Sequence, residues 1–194
     1  RELKRVLKAL PQRAHQRSLS VPLDLSKRNF ERELFDKIGI FTSKLDLVIN
    51  NAAIQAPIGP LSECGMYEWE KTIRLNLIAP AKILQGSLPL LRNSSRGVVL
   101  NISGGGGASP RENFSAYAAS KAGLVRLTET VSKEVAKYGI TINAIAPGAM
   151  ATSMMEEILE SPPSKPGDVE IATAQKVLAN PSDFQRIGLL CEYL

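Results

Sequence analysis

The chain has 194 residues, of which 44% are hydrophobic and 22% charged, and its formal net charge is +5. This length suits one domain with a substantial core and leaves little room for two. A single histidine, His15, and two widely separated cysteines, Cys64 and Cys191, give little support to a zinc site, a disulfide framework or a histidine-containing triad. No apolar run approaches the roughly 20 residues that a membrane span needs. We therefore expect no metal and no membrane partner, and a cytoplasmic, reducing setting.

Most of the positive charge lies in residues 1–17, which hold six basic side chains and one acidic one. Apolar residues recur there at helical spacing, which predicts an amphipathic surface helix over about 1–10 with a solvated basic face. The alternative is that the segment binds nucleic acid or the phosphate of a cofactor. No aromatic interleaving or RNA-binding motif accompanies the basic residues, so no nucleic-acid partner is expected.

Strand and helix patterns alternate along the rest of the chain. In order, the patterns predict a strand over 17–23, a helix capped by Ser26 and running to about Ile38, a strand over 45–50, a long helix over about 66–91 that Pro80 bends, a strand over 97–102, a helix over about 114–138 that ends at Gly139, a strand over 140–146, a helix near 153–160, and one or two helices after a Pro-rich loop at 161–167. Such alternation is typical of an α/β fold, a doubly wound parallel sheet in one domain.

Three of the predicted strands, LDLVIN, GVVLNI and ITINAIA, are nearly continuous apolar runs, as expected when helices cover both faces of a parallel sheet. Ligands bind such sheets at the carboxyl ends of the strands. The polar and turn-forming residues at those ends are Asp24, Asn50-Asn51-Ala52-Ala53, Ser103-Gly104 and Pro147-Gly148. Each of them alone is also explained as a turn or capping residue.

Tyr117 and Lys121 are spaced four residues apart on a predicted helix, so that the phenol and the ammonium share one face. A free phenol has a pKa near 10 and is a poor base at neutral pH. A nearby cation favours the phenolate and lowers that pKa. The pair is therefore a candidate general acid and base for alcohol chemistry, although most such pairs are ordinary surface residues.

Further segments in a fixed order supply the context for this pair. With them, the chain resembles the short-chain dehydrogenase/reductases. The matching residues are Asp24-Leu25, Asn50-Asn51-Ala52-Ala53, Asn76, Asn101-Ile102-Ser103, Tyr117-x-x-x-Lys121, and Pro147-Gly148 followed by Thr152. The resemblance implies a Rossmann-like fold and oxidoreductase activity with NAD or NADP on a small-molecule carbonyl or alcohol.

The resemblance also implies a role for each matching residue. Tyr117 would be the proton donor or acceptor and would also contact the cofactor. Lys121 would bind the nicotinamide ribose and lower the pKa of Tyr117, and Asn76 would hold a water of the proton relay. The remaining matches would contact the cofactor: Asp24 and Leu25 at the adenine, Asn50 and Ala52 along the adenosine ribose and nicotinamide side, and Met150 and Thr152 at the carboxamide.

The family's catalytic serine, which helps to bind the substrate oxygen, aligns with Gly104 in this sequence, and Ser103 lies one residue earlier. A step of one residue on an extended segment points the side chain the opposite way. Either the loop presents Ser103 as the catalytic hydroxyl, or another donor replaces it. The other candidates are Ser109, Asn113, Ser115 and a backbone N–H of Gly104–Gly107.

The family's glycine-rich pyrophosphate turn is absent from this sequence, and the first two strands with it. We therefore expect an incomplete domain, a piece of a longer chain of about 270 residues. The Gly104–Gly107 run is no substitute, because it does not open a helix and ends in no Lys-Ser/Thr pair. NAD or NADP is expected, and the basic residues that begin with Arg1 favour NADP slightly.

The segment 149–180 corresponds to the family's substrate lid. Its apolar residues Met150, Met154, Met155, Ile158 and Leu159 would face the site, and Glu156, Glu157 and Glu160 would face outward. The alternative is a helix that only packs on the domain. The two long helices carry the small residues Ala116, Ala118, Ala119, Ala122 and Gly123. Through them the chain would form a homodimer or homotetramer, or the helices would pack on the sheet instead.

Two other functions stay open: a non-catalytic cofactor-binding or scaffold protein, and a sugar-nucleotide epimerase or dehydratase.

Overall fold

The computed structural model describes residues 17–162 and 165–181. The predicted basic helix over 1–10 lies outside these residues, as does any helix after 181. In the described ranges no helix is both long and apolar enough to cross a bilayer. No group of three or more His, Cys, Asp or Glu side chains in the same ranges is placed to hold a metal ion.

Three strands and six α-helices alternate along the described chain. They are α1 (Phe30–Phe41), β1 (Leu47–Asn50), α2 (Met66–Ile73), α3 (Ala79–Arg92), β2 (Val98–Ile102), α4 (Ser115–Val135), β3 (Thr141–Ile145), α5 (Ser153–Glu160) and α6 (Asp168–Ala179). A π turn, Arg74–Ile78, joins α2 directly to α3, and short 3-10 turns cover Leu61–Glu63, Gly105–Gly107 and Ala136–Tyr138.

The strands form one parallel sheet in the order β1-β2-β3. Asn50 lies opposite Asn101, and Asn101 lies opposite Ala144, so the carboxyl ends of the three strands meet at one edge. This arrangement confirms the predicted α/β class and brings the loops after β1, β2 and β3 together.

A hydrophobic core fixes the central strand from which the site projects. It joins the sheet to α3, to the end of α4 and to the residue before β3, and consists of Leu84, Leu91, Val99, Val135, Ile140 and Ile142. Leu91 and Val99 are completely buried, and full burial of such a side chain contributes about 1.5–3 kcal/mol. The core therefore holds β2 firmly while its carboxyl end stays at the sheet edge.

The predicted strand over 17–23 is wrong, because these residues form no regular secondary structure. Among the described strands β1 pairs only with β2, so no described strand offers backbone partners to 17–23. The predicted cap at Ser26 is also wrong. The helix begins at Phe30, after Asn29 at φ 65°, while Ser26 donates its N–H and its hydroxyl to Asp24.

The predicted long helix over 66–91 exists, but the π turn interrupts it. Pro80 has no backbone N–H, so it cannot donate to the carbonyl of Asn76, four residues earlier. The helix continues past the proline after this wider turn, and a bend at Pro80 stays a prediction. Asn76 lies in the middle of that turn and is fully buried.

Candidate active site

Tyr117 lies in the first turn of α4, beside the end of β2. It is 8% exposed and packs against Phe114, Ile158 and Ala174. Its hydroxyl lies against Gly104, two residues after the end of β2, because a Cβ atom built on Gly104 would lie 2.3 Å from the phenol oxygen. The hydroxyl thus points to the sheet edge where the candidate residues meet.

Lys121 follows one helical turn later and is 3% exposed. Its Nζ donates to the carbonyl oxygen of Ile102 at 2.7 Å and lies 5.7 Å from the centroid of the Tyr117 ring. Burial lowers the pKa of the ammonium to about 8. The last carbonyl of β2 therefore fixes the lysine next to the tyrosine.

The pKa of Tyr117 is raised above its ordinary value, contrary to the expectation that Lys121 lowers it. Burial is the main cause, and it outweighs the lowering effect of the Arg111 guanidinium, while the Glu170 carboxylate raises the pKa further. The Lys121 ammonium is bonded to Ile102 and lies beside the ring. Burial therefore determines the direction of the shift.

Lysine 121 should make stability depend on pH. Its folded pKa of about 8 lies below the ordinary 10.5, so the unfolded chain binds the proton more tightly. The cost of burying the ammonium is complete below pH 8 and is relieved as the pH rises above it. Relative to a Lys121→Met variant, the free energy of unfolding should increase by roughly 2 kcal/mol between about pH 8 and pH 10. Urea unfolding of both proteins at the two pH values measures this, and a constant difference would contradict it.

Asn76 connects the π turn to the loop after β1 and to α4. Its Nδ2 donates to the Ile54 carbonyl at 2.8 Å and to Ser120 Oγ at 3.0 Å, while its Oδ1 accepts the Ile54 N–H at 3.0 Å. Ser120 Oγ in turn donates to the carbonyl of Tyr117. The asparagine side chain is therefore fully engaged in fixing the site's walls, and Ser120 is a supporting residue that the sequence pattern did not reveal.

A second chain of hydrogen bonds runs beneath the sheet edge. Asn50 Nδ2 donates to Asn101 Oδ1 at 2.8 Å, and Asn101 Nδ2 donates to Thr128 Oγ1 at 2.8 Å. Both asparagines and the threonine are buried. The side chain of Asn50, expected to line the cofactor, is thus used to join β1 and β2 to α4.

Several predicted cofactor residues do line a common cavity. Leu25, Asn50 and Ala52 border a space of about 80 Å³ beside Pro80. Leu25 also borders a larger groove of about 230 Å³ that contains basic side chains from the loop before α1 and from α3. Asp24, adjacent in sequence, is exposed, and its bonds from Ser26 lower the pKa of its carboxyl.

Met150 and Thr152 lie in the segment between β3 and α5. The chain turns there at Gly148, whose φ of 82° is readily adopted only by glycine. Thr152 Oγ1 donates to the Met150 carbonyl at 3.5 Å, and no side-chain bond from Thr152 caps α5. These two residues are close to each other, and their role at the carboxamide stays a prediction.

Ser103 does not meet the expectation that it presents a hydroxyl to the reacting atoms. Ser103 Oγ lies against Gly107, because a Cβ atom built on Gly107 would be 2.5 Å from it. The Tyr117 hydroxyl lies instead against Gly104, whose Cβ would be 2.3 Å from the phenol oxygen. Ser103 Oγ is buried and has no hydrogen-bond partner among the described residues. The physical reason is the alternation of side chains along extended backbone, which turns residue 103 away from the face that residue 104 occupies.

The other candidate donors are also committed elsewhere or set apart. Ser115 Oγ accepts the indole N–H of Trp69 at 3.1 Å, and Ser109 Oγ donates to the Gly105 carbonyl at 3.3 Å. Asn113 has a φ of 64°, and its carbonyl accepts the Gly59 N–H. None of these contacts brings a hydroxyl or amide to the phenol of Tyr117.

The predicted lid segment covers Tyr117 with part of the expected apolar wall. Ile158 is completely buried and Met155 packs against the Tyr117 cluster, but Leu159 is 41% exposed because it lies on the outer face of α5. The buried Gln55, which the sequence did not single out, donates from Nε2 to the Met154 carbonyl and to Glu157. The loop after β1 is therefore tied to α5.

Comparisons with known proteins agree with this geometry. The family model described as short chain dehydrogenase matches residues 1–163. A short chain dehydrogenase/reductase of Aspergillus oryzae is 37% identical over 112 residues, which are 57% of this chain and 43% of that protein. Levodione reductase of Leifsonia aquatica is 34% identical over 139 residues, which are 72% of this chain and 51% of that protein.

A solved structure shares the fold. The crystal structure of a short chain dehydrogenase from Shigella flexneri complexed with NADP has a TM-score of 0.68 and 26% identity, over 78% of this chain and 66% of the other. The chain spans about half the length of the curated relatives that it matches.

Proposed function

This chain belongs to the short-chain dehydrogenase/reductase family, and on that premise we propose that its protein interconverts a carbonyl and an alcohol with NAD or NADP. The observation that carries the proposal is the buried phenol of Tyr117, whose hydroxyl points to the carboxyl end of β2 with the ammonium of Lys121 beside it. A proton donor and a cation at that edge of a parallel sheet suit a ligand bound there.

Tyr117 moves the proton in this proposal. In reduction its hydroxyl donates to the substrate oxygen as that oxygen gains charge, and in oxidation the phenolate accepts the proton of the alcohol. The ammonium of Lys121 favours the phenolate once the proton has left. When bound, the nicotinamide cofactor supplies or accepts the hydride.

Lys121 has capacity for a second role. An ammonium has three donors, and its bond to the carbonyl of Ile102 uses one of them. We assign a remaining donor to the hydroxyl groups of the nicotinamide ribose. This assignment requires the lysine to stay where β2 fixes it.

Asn76 supplies the other end of the proton path through its backbone. Its side chain is occupied by Ile54 and Ser120, whereas its carbonyl lacks the usual helical donor because residue 80 is proline. In this proposal the carbonyl, which has no N–H four residues later to accept, binds a water molecule that passes protons towards Lys121. π turns are frequent at functional sites.

The adenosine half of a dinucleotide is assigned to the sheet edge where Leu25, Asn50 and Ala52 border a small space. Asp24, adjacent to Leu25 in sequence, carries a carboxylate suited to an amine or hydroxyl donor. Met150 and Thr152 are proposed at the carboxamide. The basic residues that favoured NADP belong to the segment 1–16, so the preference between the two cofactors stays a prediction.

Assembly through the long helices and a cytoplasmic location are proposed as well. Met66 and Tyr67 at the start of α2 are 55% and 78% exposed, and Ala119 and Ala122 are exposed on α4. Gly123, in contrast, packs within the chain against Leu77. The exposed faces suit a homodimer or homotetramer.

The proposal is tested with the full-length protein, NADPH or NADH, and a panel of ketones and aldehydes, followed at the nicotinamide absorbance. We expect oxidation of the cofactor that depends on the carbonyl compound.

The second candidate is a non-catalytic cofactor-binding or scaffold protein, and the observation that favours it is glycine at position 104 next to the Tyr117 hydroxyl. Tight cofactor binding without turnover of any compound would select that alternative.

A further inference from the structure

Arg111 and Glu170 form a bidentate ion pair beside Tyr117. Nε of the arginine donates to Oε1 at 2.9 Å, and Nη2 donates to Oε2 at 2.7 Å. The two side chains are 15% and 24% exposed. Paired bonds of this kind, from a planar guanidinium to a carboxylate, are strong and directional. They join the loop after β2 to the first turn of α6.

The guanidinium is held over aromatic rings. Its central carbon lies 3.7 Å from the centroid of Phe114 and 5.3 Å from the centroid of Tyr117. Stacking on a ring fixes the plane of a guanidinium and leaves its edge free to bind a planar anion. The edge of Arg111 that holds the Glu170 carboxylate therefore has a fixed orientation beside the Tyr117 ring.

Apart from Arg111 and the Lys121 ammonium, which lies 5.7 Å from the ring centroid, the side chains that pack on Tyr117 are apolar. Phe114 and Ile158 are buried against it, and Ile58, Met155 and Ile171 pack on the same cluster. The phenol is 8% exposed beneath this cover. A substrate that reaches Tyr117 therefore lies between an apolar wall and one arginine.

We propose that Arg111 binds a carboxylate of the substrate, and that Glu170 occupies this position when the substrate is absent. The substrate class is then a keto acid, or the matching hydroxy acid, with an apolar body. This inference rests on the proposed oxidoreductase function and specifies its substrate.

Exchange of one carboxylate for another keeps the guanidinium paired throughout. A partly buried cation without a partner is costly, whereas a substrate carboxylate offers the same two oxygens that Glu170 gives up. Glu170 lies in the first turn of α6 and is already a quarter exposed, so rotation of its side chain returns it to water. The exchange also removes the hydrogen bonds between Arg111 and Glu170 that hold α6 to the loop after β2. The packing of α6 over Tyr117 is weakened as a result.

Binding without turnover gives the first test. The full-length protein is titrated by calorimetry with 4-phenylbutanoate, which has no reactive carbonyl, and with the neutral 4-phenylbutanamide. Glu170→Gln should tighten the Kd for the acid about tenfold, because it removes the internal competitor, and leave the Kd for the amide within twofold. The matched control is Glu129→Gln, whose exposed partner Arg126 lies on the outer face of α4, and it should change neither value.

Kinetics give the second test, with oxo acids of different carbonyl position and their methyl esters. Arg111→Gln should raise KM for the acids at least tenfold and leave KM for the esters within threefold, while Glu170→Gln lowers KM for the acids only. Equal effects on acid and neutral compound in either variant would overturn the proposal and leave the pair as a structural tie. Turnover of the esters reports separately on the oxidoreductase function, which can succeed while the carboxylate site fails.

Discussion

Tyr117→Phe is expected to lower kcat by about 10²–10⁴-fold, because it removes the proposed proton donor and leaves the buried ring in place. The ring's contacts with Phe114, Ile158 and Ala174 do not involve the hydroxyl, so the fold should survive. Cofactor binding should change little, since the tyrosine's main contribution is to the reacting oxygen. Initial rates and a fluorescence titration with reduced cofactor measure the two quantities on the same protein.

The matched control is Tyr138→Phe at the opposite end of α4. Tyr138 is 44% exposed and stacks under the guanidinium of Arg92 at 3.7 Å, so loss of its hydroxyl should leave kcat within twofold. If Tyr117→Phe kept the native kcat, the phenol would have no part in the proton transfer. Loss of cofactor binding together with turnover would instead point to a structural role.

Asn76→Ala is expected to lower the free energy of unfolding by about 3 kcal/mol. The substitution leaves the part-buried N–H and carbonyl of Ile54 without their partners, and it removes a buried donor from Ser120 Oγ. Each buried polar group left unpaired costs about 1–3 kcal/mol. Urea unfolding at neutral pH measures the loss, and kcat measured well below the transition tells whether the relay is also impaired.

Asn93→Ala removes an amide of the same kind from an exposed position. Asn93 Nδ2 donates to the carbonyl of Ser43 at 2.8 Å, where water can replace it, so the cost should stay below about 1 kcal/mol. Equal destabilisation by the two substitutions would contradict the view that Asn76 holds the loop after β1 against α4.

The sequence predicted the elements whose patterns are local. The apolar run of β2 was placed within one residue, and the end of α4 with its 3-10 turn was placed at Gly139, whose φ is 71°. The spacing of Tyr117 and Lys121 predicted a shared helical face, and both residues are buried next to the end of β2. Periodicity and turn chemistry are encoded over a few residues, so one sequence suffices to read them.

The errors concern features that depend on distant neighbours. A β-pattern over 17–23 forms a strand only if another strand accepts its hydrogen bonds, and no described strand does. The raised pKa of Tyr117 follows from burial under α5 and α6, which the pair's spacing does not reveal. Arg111 and Glu170 are 59 residues apart, and nothing in their local sequence marks them as partners.

Because the π turn Arg74–Ile78 holds more residues than one α-helical turn, it takes up an extra residue between α2 and α3. Each α-helical residue advances about 100°, so one residue inserted into the regular helix between this turn and Leu84 would turn Leu84 and Leu91 off the sheet. A natural or engineered length change here should therefore unseat the core as well as the site. The face that α3 turns to the sheet therefore depends on the number of residues between the π turn and Leu84.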